Sequence, residues 1–312
     1  MKKILKKFIL GHETSKFMYE SMMDYYHKYL VTDEQVIKKM FRKFLDREVE
    51  LTEPVKYNDK LQWLKLYWRD PKATLCADKY EVRKIVEETI GAQYLNELIS
   101  VYDKVDEIDY DELPDSFALK GTHGSGFNII CKDKKDLDWP KAVKQMRHWL
   151  KRNYYWSNRE WVYKDIKPRI VCEKYLEEMD VGELRDYKIF CFNGEPKVIE
   201  VDFERFVDHK RNIYDLEWNL LEGEIKYPRD PNYVVKKPEK LEEMLTLSRT
   251  LAQGFPHVRV DFYIVEDRLY FGELTFFHES GTGPFRPEAF EIEMGHWIKL
   301  PKRTINTSSK LV

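Results

Sequence analysis

Two acidic residues near the C-terminal end of the chain, Asp261 and Glu273, are spaced so that they could hold a cation. Apolar and polar residues alternate over 257–264 and again over 269–275, which is the period-2 pattern of half-buried β-strands. The polar residues between these runs predict a hairpin. Carboxylates that share one face of a hairpin repel each other unless a cation lies between them, and Mg²⁺ prefers such oxygen ligands together with bound phosphates. The hairpin therefore predicts a magnesium site.

The loop of this hairpin decides whether the two acids meet. A three-residue loop at 266–268 sets Asp261 opposite Glu273 and Arg259 opposite Thr275. A two-residue loop would place the acids on opposite faces of the hairpin. The alternative interpretation is a surface hairpin whose acids are solvated, and both interpretations stay open at this point.

A glycine-rich turn at 117–130, FALKGTHGSGFNII, has the composition of an anion-binding loop. Gly121, Gly124 and Gly126 allow backbone N–H groups to converge without interference from a Cβ atom, and Lys120 ends the incoming strand. No Lys-Ser/Thr pair follows the glycines, which excludes a Walker loop, and the strand that follows excludes a dinucleotide fingerprint. The segment predicts a phosphate site, with a plain hairpin turn as the alternative.

A buried strand runs directly into acidic residues in VCEKYLEE (171–178). This pattern is either an ordinary strand end or a hinge for a nucleotide base. In the second interpretation the backbone at Lys174 and Leu176 meets an adenine edge, and Glu177 or Glu178 lies near the ribose.

Helices and strands alternate irregularly along the chain and would position these segments. Apolar residues recur at three- and four-residue spacing over 1–70, and a second helical block runs from Asp78-Lys79 to Gly91. KIFCFNGEPKVIEV (188–201) is a hairpin with Asn-Gly at its turn, and 238–254 returns to helix. Antiparallel sheets with helices on their faces follow, so we predict an α+β fold.

The composition is that of a folded protein without a strong overall field. The chain has 312 residues, of which 43% are hydrophobic, and 53 Lys+Arg against 55 Asp+Glu leave a net charge of -2. A charge so close to zero does not steer a protein to nucleic acid, so we expect no nucleic-acid partner. Four cysteines lie without C-x-x-C or zinc spacing, which predicts reduced core residues in a cytoplasmic protein.

The first twelve residues, MKKILKKFILGH, form a basic amphipathic segment. Its apolar run is too short to span a bilayer or to act as the hydrophobic region of a signal peptide. Two interpretations stay open for this segment. It is a first helix packed on the body of the protein, or it makes peripheral contact with the inner face of the anionic membrane.

Taken in order, the segments DK, K-x3-G-S-G, E-K-Y-L, D-Y-K, R-x-D and E-x-T resemble the ATP-grasp superfamily. The resemblance implies an α+β fold in which two lobes clasp ATP. The implied parts are a helical N-terminal region at 1–75, a lobe with the glycine loop at 76–168, and a lobe with the adenine hinge and metal site at 169–312. The residues implied to bind the nucleotide are Lys79, Lys120, Gly121, His123, Gly124, Ser125, Gly126, Glu173, Lys174, Tyr175, Leu176, Glu177 and Asp186.

The same resemblance implies metal and catalytic roles for residues of the C-terminal lobe. Mg²⁺ is expected at Asp261, Glu273 and Thr275, and Thr275 stands where the common pattern has Asn, so one or two metal ions stay open. Arg259 is expected to face the transferring phosphoryl group, where fixed positive charge stabilises developing negative charge. Lys188 is expected to face the nucleotide or the metal together with Asp186, with charged residues at a strand edge as the alternative.

More narrowly, the chain resembles the TupA-like ATP-grasp family of bacterial surface-polysaccharide biosynthesis. The segments that carry this resemblance are YNDKLQWLKLYWRDP (57–71), ADKYEVRKIV (77–86), ALKGTHGSG (118–126), DYKIFCFNGEPK (186–197) and GELTFFHESGTGPFRPEAF (272–290). It implies a ligase that activates a uronic-acid carboxylate as an acyl phosphate and joins it to an amine. The implied partners are a glycan or lipid-linked sugar acceptor and a small amine or amino acid.

Residues that follow the metal strand are candidates for binding the acceptor. Ser280, Gly281, Thr282 and Gly283 precede Arg286, which could hold a carboxylate by a bidentate contact. A plain loop is the alternative for this segment.

Three other functions compete with ligation. A glycosyltransferase is suggested by Asp136-Leu137-Asp138, which has D-x-D spacing but lies in a charged run typical of a solvated loop. A sugar kinase could use the same ATP site, and a non-catalytic carbohydrate-binding protein could retain a relic of it. The retention of the lysines and acids named above argues against the last of these.

Overall fold

The computed structural model describes residues 13–176, 185–204 and 208–304. The chain divides into two compact units, each built from two stretches of chain: Met1–Lys39 with Leu98–Tyr175, and Met40–Glu97 with Leu176–Val312. The predicted domains at 1–75, 76–168 and 169–312 were continuous stretches, and the boundaries of the observed units differ from them. They differ because helix and strand pairing joins segments that are far apart in sequence.

The first unit is a four-stranded antiparallel sheet with helices. Its strands are β1 (Leu98–Tyr102), β2 (Phe117–Gly121), β3 (Asn128–Cys131) and β4 (Ile170–Lys174), in the order β1-β4-β2-β3. Its helices are α1 (Glu13–Tyr29), α2 (Asp33–Leu45, which runs on past this unit), α6 (Trp139–Leu150) and α7 (Tyr155–Asn158). Strand β4 was predicted to be a buried strand, which is confirmed, but it lies inside this sheet and not in the C-terminal lobe.

The second unit is built on a five-stranded antiparallel sheet in the order β10-β9-β5-β6-β7. The strands are β5 (Asp186–Phe192), β6 (Glu195–Phe203), β7 (Lys210–Tyr214), β9 (His257–Val265) and β10 (Arg268–Thr275), and a separate pair joins β8 (Glu224–Ile225) to β11 (Phe285–Arg286). The helices are α3 (Tyr57–Tyr67), α4 (Pro71–Ala77), α5 (Glu81–Thr89), α8 (Leu241–Leu251) and α9 (Glu288–Trp297). The prediction of an α+β fold is confirmed.

The two faces of the large sheet differ in polarity because side chains alternate along each strand. Val258, Val260 and Phe262 of β9 are buried, and helix α8 packs against β5, β6 and β9 with its apolar stripe. The residues between them in β9, Arg259 and Asp261, point to the opposite face. That face carries the charged side chains of the sheet.

The register of the β9–β10 hairpin confirms one prediction and corrects another. Asp261 pairs with Glu273 and Arg259 with Thr275, as predicted. The predicted three-residue loop is wrong, because Val265 pairs with Arg268 across a two-residue turn. A register shift between Phe271 and Glu273 leaves Gly272 as an extra residue, and this bulge moves Glu273 back onto the face of Asp261.

Gly272 is required at the bulge because of its surroundings. A Cβ atom there would lie 2.9 Å from Cε2 of Tyr263 and 3.0 Å from the carbonyl oxygen of Asp261. The other predicted hairpin turn is confirmed: Asn193 and Gly194 have φ values of 51° and 88° and connect β5 to β6.

The four cysteines are buried and unpaired, as predicted. Among the residues that the structure describes, none of the helices has the length and apolar content needed to cross a membrane.

Candidate active site

The polar face of the large sheet places four charged residues side by side on neighbouring strands. Glu273 of β10 pairs with Asp261 of β9, Asp261 with Lys188 of β5, and Lys188 with Glu200 of β6. Strand register therefore places two adjacent anions, a cation and a third anion in a row across the sheet. Such a row is expensive to bury unless each charge finds a partner.

Arg259 neutralises the two opposed acids. Its Nε donates to Asp261 Oδ1 at 2.7 Å and its Nη2 to Asp261 Oδ2 at 2.6 Å, which makes a bidentate pair. The same Nη2 donates to Thr275 Oγ1 at 3.1 Å and lies 3.4 Å from Glu273 Oε1. The expectation that only a bound cation could hold Asp261 and Glu273 together is therefore corrected, because a guanidinium from the same strand already does so.

His278 fixes the remaining side of the guanidinium. Nη1 of Arg259 lies 2.6 Å from Nδ1 of His278, and because arginine can only donate, Nδ1 must accept. Burial and the neighbouring Arg259 hold the pKa of His278 well below its usual range, so the ring is neutral. Its proton is therefore on Nε2, which lies 3.4 Å from Oε2 of the buried Glu200.

The two opposed acids have very different pKa values. Burial raises the pKa of Asp261 to about 7, although Arg259 acts in the opposite direction. Burial also disfavours charge on Glu273, but Lys79 and Arg259 outweigh it and lower the pKa of Glu273 to about 2. The Asp261 side chain is 4% exposed and that of Glu273 is 37% exposed. Glu273 is thus the acid that stays charged and can be reached from solvent.

Lys79, which the family resemblance implies to bind phosphate, lies beside Glu273. Its Nζ is 3.4 Å from Glu273 Oε2, and its side chain is 17% exposed. It precedes helix α5, where Asp78 Oδ1 accepts the backbone N–H of Tyr80 at 2.8 Å. The helix was predicted to begin at Asp78-Lys79, which is wrong, because it begins at Glu81; its predicted end just before Gly91, which has φ 111°, is confirmed.

Lys188 is the centre of a second charged cluster on the same face. Its Nζ hydrogen bonds to Asp202 and lies 3.6 Å from Asp186 Oδ2 and 3.7 Å from Glu200 Oε1. Asp202 also accepts Nε of Arg211 at 2.7 Å. Burial opposes charge on Asp202, but Lys188 and Arg211 hold its pKa well below its usual range.

Sequence reasoning found Lys188 and Asp186 but missed their partners. Glu200 and Asp202 alternate with the apolar residues Ile199, Val201 and Phe203 in β6, which is the signal that could have placed them on the polar face with Lys188. His278 lies within the segment that carries the family resemblance, but a lone histidine after a strand has no pattern of its own. The pairing of Arg211 with Asp202 across β6 and β7 requires the register of the sheet.

The loop at 278–283 is held by helix α3. Nε2 of Gln62 donates to the carbonyl oxygens of Ser280 and Gly281 at 2.9 and 2.7 Å, and Nζ of Lys65 donates to Ser280 at 2.7 Å. Asn58 Nδ2 donates to the carbonyl oxygen of Gly283 at 2.8 Å. The polar residues of YNDKLQWLKLY therefore position the loop that follows the metal strand.

This loop has unusual backbone conformations. Glu279, Ser280 and Gly281 have φ values of 47°, 53° and 60° in succession. Two consecutive non-glycine residues in the left-handed region are strained and persist only where the surroundings hold them, which the donors of α3 do. Arg286 follows the loop on β11, where it is exposed and pairs with Glu224, and its predicted contact with a carboxylate stays a prediction.

In the first unit, the glycine loop joins β2 to β3 as predicted. Lys120 Nζ donates to Glu173 Oε2 at 2.7 Å within the sheet. The ring of His123 is buried, and its Nε2 lies 2.8 Å from the carbonyl oxygen of Trp149, so it anchors the loop to α6. Ser125 and Gly126 are exposed at the tip of the loop, where backbone N–H groups can be reached.

Glycines of this loop have different requirements. A Cβ atom on Gly124 would lie 2.8 Å from Phe127 and 2.9 Å from Tyr154, and one on Gly121 would lie 2.9 Å from Cβ of Phe127. Gly126 has open space around it and φ 75°. Packing therefore requires glycine at positions 121 and 124, whereas backbone conformation favours glycine at position 126.

The predicted adenine hinge follows β4. Glu173 is buried in the sheet, Lys174 is exposed, and Tyr175 and Leu176 are half-buried. Glu177 and Glu178 lie outside the described residues, as does the basic segment at 1–12. Roles in nucleotide binding for these residues, and for the glycine loop, stay predictions.

Metal-binding side chains were also predicted in the second unit. Within the ranges 13–176, 185–204 and 208–304, no group of three or more His, Cys, Asp or Glu side chains is arranged to hold a metal ion. Asp261 and Glu273 provide two carboxylates, and the Thr275 hydroxyl donates to Glu273 Oε1 at 3.0 Å.

An antiparallel hairpin with a glycine loop, together with an antiparallel sheet that carries acids, lysines and a clamped arginine on one face, defines the ATP-grasp fold. The chain belongs to the TupA-like ATP-grasp family, described as TupA-like ATPgrasp, which matches residues 59–299. Comparison of the sequence with curated proteins gives no match.

Solved structures similar to this chain are ligases with low sequence identity. D-alanine–D-alanine ligase from Bacillus anthracis, complexed with ATP, is 17% identical with a TM-score of 0.37, over 65% of this chain and 54% of that one. The D-alanine–D-alanine ligase from Helicobacter pylori is 14% identical with a TM-score of 0.42, over 79% and 70%. N5-carboxyaminoimidazole synthase from Aspergillus clavatus is 13% identical with a TM-score of 0.38, over 67% and 46%. The chain thus spans about half the length of the Bacillus anthracis enzyme.

Proposed function

We propose that the protein is an ATP-dependent carboxylate–amine ligase, acting through an acyl phosphate in surface-polysaccharide biosynthesis. The observation that carries the proposal is the clamp on Arg259, which Asp261, Thr275 and His278 hold on the polar face of the sheet beside Glu273. A guanidinium fixed before the substrate arrives needs no reorganisation when negative charge develops, which makes it an effective stabiliser of a transition state.

The chemistry needs activation because carboxylates and ammonium ions do not condense in water. The substrate carboxylate attacks the γ-phosphorus of ATP. The bond between this phosphorus and the β,γ-bridging oxygen breaks, which gives ADP and an acyl phosphate. The amine then attacks the acyl carbon, phosphate leaves, and the amine loses a proton as the amide forms. Charge accumulates on the phosphoryl oxygens in the first step.

The hydrogen bonds of Arg259 leave it able to act on that charge. Of the five N–H groups of a guanidinium, Nε uses one, Nη2 uses two, and Nη1 uses one for His278. One N–H of Nη1 remains to meet a phosphoryl or acyl-phosphate oxygen. Lys79 adds a second positive charge beside Glu273.

Magnesium fits the donor set on this face. Glu273 is charged and partly exposed, and the Thr275 hydroxyl lies beside it, whereas both oxygens of Asp261 are engaged by Arg259. We therefore assign Glu273 and Thr275 as the residues that would hold Mg²⁺, with Asp261 adding negative charge next to them. Mg²⁺ usually binds through one or two carboxylates and takes its other ligands from water and substrate phosphates. When bound, it would neutralise phosphate charge.

The glycine loop of the first unit is the proposed phosphate-binding element, and the strand end at 173–176 is the proposed adenine contact. Support comes from the exposed backbone at Ser125 and Gly126 and from Lys120, whose side chain is 28% exposed beside Glu173. The proposed substrates are a glycan or lipid-linked sugar with a uronic-acid carboxylate and a small amine or amino acid. The strained loop at 280–283 and Arg286 are the proposed acceptor contacts.

Trapping of the activated carboxylate tests the reaction class. The protein is incubated with ATP, Mg²⁺, a galacturonic- or glucuronic-acid oligosaccharide and hydroxylamine, which converts an acyl phosphate into a hydroxamate. We expect ADP and hydroxamate in equal amounts from the native protein and neither from Glu273→Gln. Glu266→Gln, which changes an exposed acid in the turn of the same hairpin, is the matched control and should react normally.

Other products would identify the competing functions. ADP with a phosphosugar indicates a sugar kinase, and a nucleoside diphosphate released from a sugar nucleotide indicates a glycosyltransferase in capsule or O-antigen synthesis. The structure weakens the second alternative, because Asp138 of the D-x-D triplet is occupied as the N-cap of α6, where its side chain accepts Lys141 N at 3.0 Å.

A further inference from the structure

Helix α1 presents a stripe of large apolar side chains to solvent. Met18, Met22, Tyr25 and Tyr29 are 73%, 59%, 63% and 58% exposed. Their spacing of four, three and four residues places them on one side of the helix. We call these four residues the exposed stripe. Contiguous exposed apolar side chains of this kind mark an interaction site more often than isolated ones do.

The orientation of the helix follows from its other side. Glu20 lies 2.7 Å from His148 and 3.2 Å from Arg152, and Asp24 lies 3.0 Å from Arg152, so the acids of α1 face helix α6 and its C-terminal end. Phe17 stacks on His148 with 3.9 Å between ring centroids. Between Ser15 and Tyr29 these are the acidic residues of the helix, and both are engaged away from the exposed stripe.

Cations border the exposed stripe. A cleft of about 490 Å³ separates Met18 and Phe17 of α1 from Lys144, Arg147 and Lys151 of α6. All three cations are exposed, although Arg147 also pairs with Asp106. Lys28 of α1 also lies next to the stripe, with its Nζ 4.9 Å from the centroid of the Tyr29 ring.

We infer that the exposed stripe and its bordering cations dock onto an anionic lipid surface. Apolar and tyrosine side chains on one face of a helix enter the boundary between headgroups and acyl chains, while lysines and arginines beside them meet the lipid phosphates. The sequence of the twelve residues that precede the helix is likewise basic and apolar, with Lys2, Lys3, Lys6 and Lys7 among five Ile, Leu and Phe residues.

A second copy of the chain fits this surface less well. In a two-fold symmetric dimer the same patch meets itself, so the lysines and arginine of α6 would approach their own copies. Anionic lipid satisfies both the apolar stripe and the positive border. The inference concerns a different part of the molecule from the proposed active site and does not depend on its chemistry.

Vesicle binding of the full chain tests this inference. Co-sedimentation is measured with vesicles of phosphatidylcholine alone and with vesicles that also contain phosphatidylglycerol. We expect binding to the second kind only, lost on adding salt. Replacing one bordering lysine, as in Lys151→Gln, should lower the partition coefficient about fivefold at low ionic strength, the factor equivalent to about 1 kcal/mol per basic residue.

The double variant Met22→Glu, Tyr25→Glu tests the stripe itself, with Val234→Glu as control. Val234 is an 87% exposed apolar residue of the second unit. Its substitution therefore also replaces an exposed apolar side chain by a carboxylate, but away from the exposed stripe. We expect the double variant to lose vesicle binding with an unchanged melting temperature, and the control to bind normally. Undiminished binding of the double variant would overturn the inference. A native dimer, seen by gel filtration, that the double variant dissociates would also overturn it, because the stripe would then be a contact between copies of the chain.

Discussion

Arg259 and Asp261, two residues apart on one strand, form a bidentate ion pair with donor–acceptor distances of 2.7 and 2.6 Å. Side chains at positions i and i+2 share a face of a strand, which makes this pair possible without any contribution from another element. Glu273 and Thr275 on the neighbouring strand, and His278 beyond it, complete the surroundings of the guanidinium. The arginine is thereby oriented by residues of the protein itself.

The first prediction concerns the geometry of this arginine. Arg259→Lys keeps a positive charge but cannot make the bidentate contact or reach His278 and Thr275 at once. We expect turnover with ATP to fall about a hundred- to a thousandfold, the usual effect of losing a preorganised donor. Arg249→Lys is the control, because Arg249 pairs with Glu195 on the surface with 44% of its side chain exposed. Equal turnover in the two variants would contradict the role given to Arg259.

The second prediction concerns the bulge. Gly272→Ala forces a Cβ atom to within 2.9 Å of the Tyr263 ring and 3.0 Å of a backbone oxygen, so Glu273 cannot keep its place. We expect the free energy of unfolding to fall by about 1–3 kcal/mol, as for other overpacked sites, and turnover to fall with it. Chemical denaturation and ATP hydrolysis measure the two effects.

Gly254→Ala separates crowding from a general glycine effect. Nothing lies within 4 Å of the position that its Cβ atom would occupy, but its φ is 88°. This variant should lose about 1 kcal/mol of stability through backbone strain and keep its turnover. A Gly272→Ala protein with native activity would show that the bulge does not position Glu273.

The third prediction concerns pH. The pKa of Asp261 is about 7 in the folded protein and about 3.9 in the unfolded chain, so between these values the folded state binds more protons. The cost of burying this carboxylate is full above pH 7 and is relieved as pH falls toward 4. Asp261→Asn removes the titration, so the native protein should gain stability relative to the variant as pH falls through this window.

Urea unfolding of both proteins across that window measures the difference. Asp267→Asn, in the exposed turn of the same hairpin, should track the native protein at every pH. A constant difference between native protein and Asp261→Asn would mean that Asp261 does not titrate there.

The fourth prediction concerns Lys120, whose partner Glu173 has a side chain that is only 9% exposed. Lys120→Ala should weaken nucleotide binding in calorimetry and also lower the free energy of unfolding by about 1–3 kcal/mol, because a buried carboxylate loses a cationic partner. Adding Glu173→Gln should restore stability but not nucleotide affinity. Lys167→Ala removes a solvent-exposed pair with Asp103 and should change stability by less than about 1 kcal/mol.

A double variant that regains both stability and affinity would show that Lys120 acts only through Glu173. Native affinity in Lys120→Ala alone would remove the lysine from the proposed phosphate site.

Local patterns in the sequence were enough to predict the strands and their faces. Alternation along 257–275 predicted the two strands that carry Asp261 and Glu273, although β9 is buried on both faces over 257–262 and not half-buried. Asn193-Gly194 identified a hairpin turn, because turn conformation depends on near neighbours. The order of the motifs was enough to identify the ATP-grasp fold and family, which the match of the family model over residues 59–299 confirms.

Tertiary structure decided how those residues are used. The pairing of Asp261 with Glu273 depends on a two-residue turn combined with the bulge at Gly272, and neither alone reveals the register. The neutralising partner of the acids is a guanidinium held by His278, and the partners of Lys188 come from a neighbouring strand. These contacts join residues up to tens of positions apart, so periodicity, which reports only the face of a single element, contains no information about them.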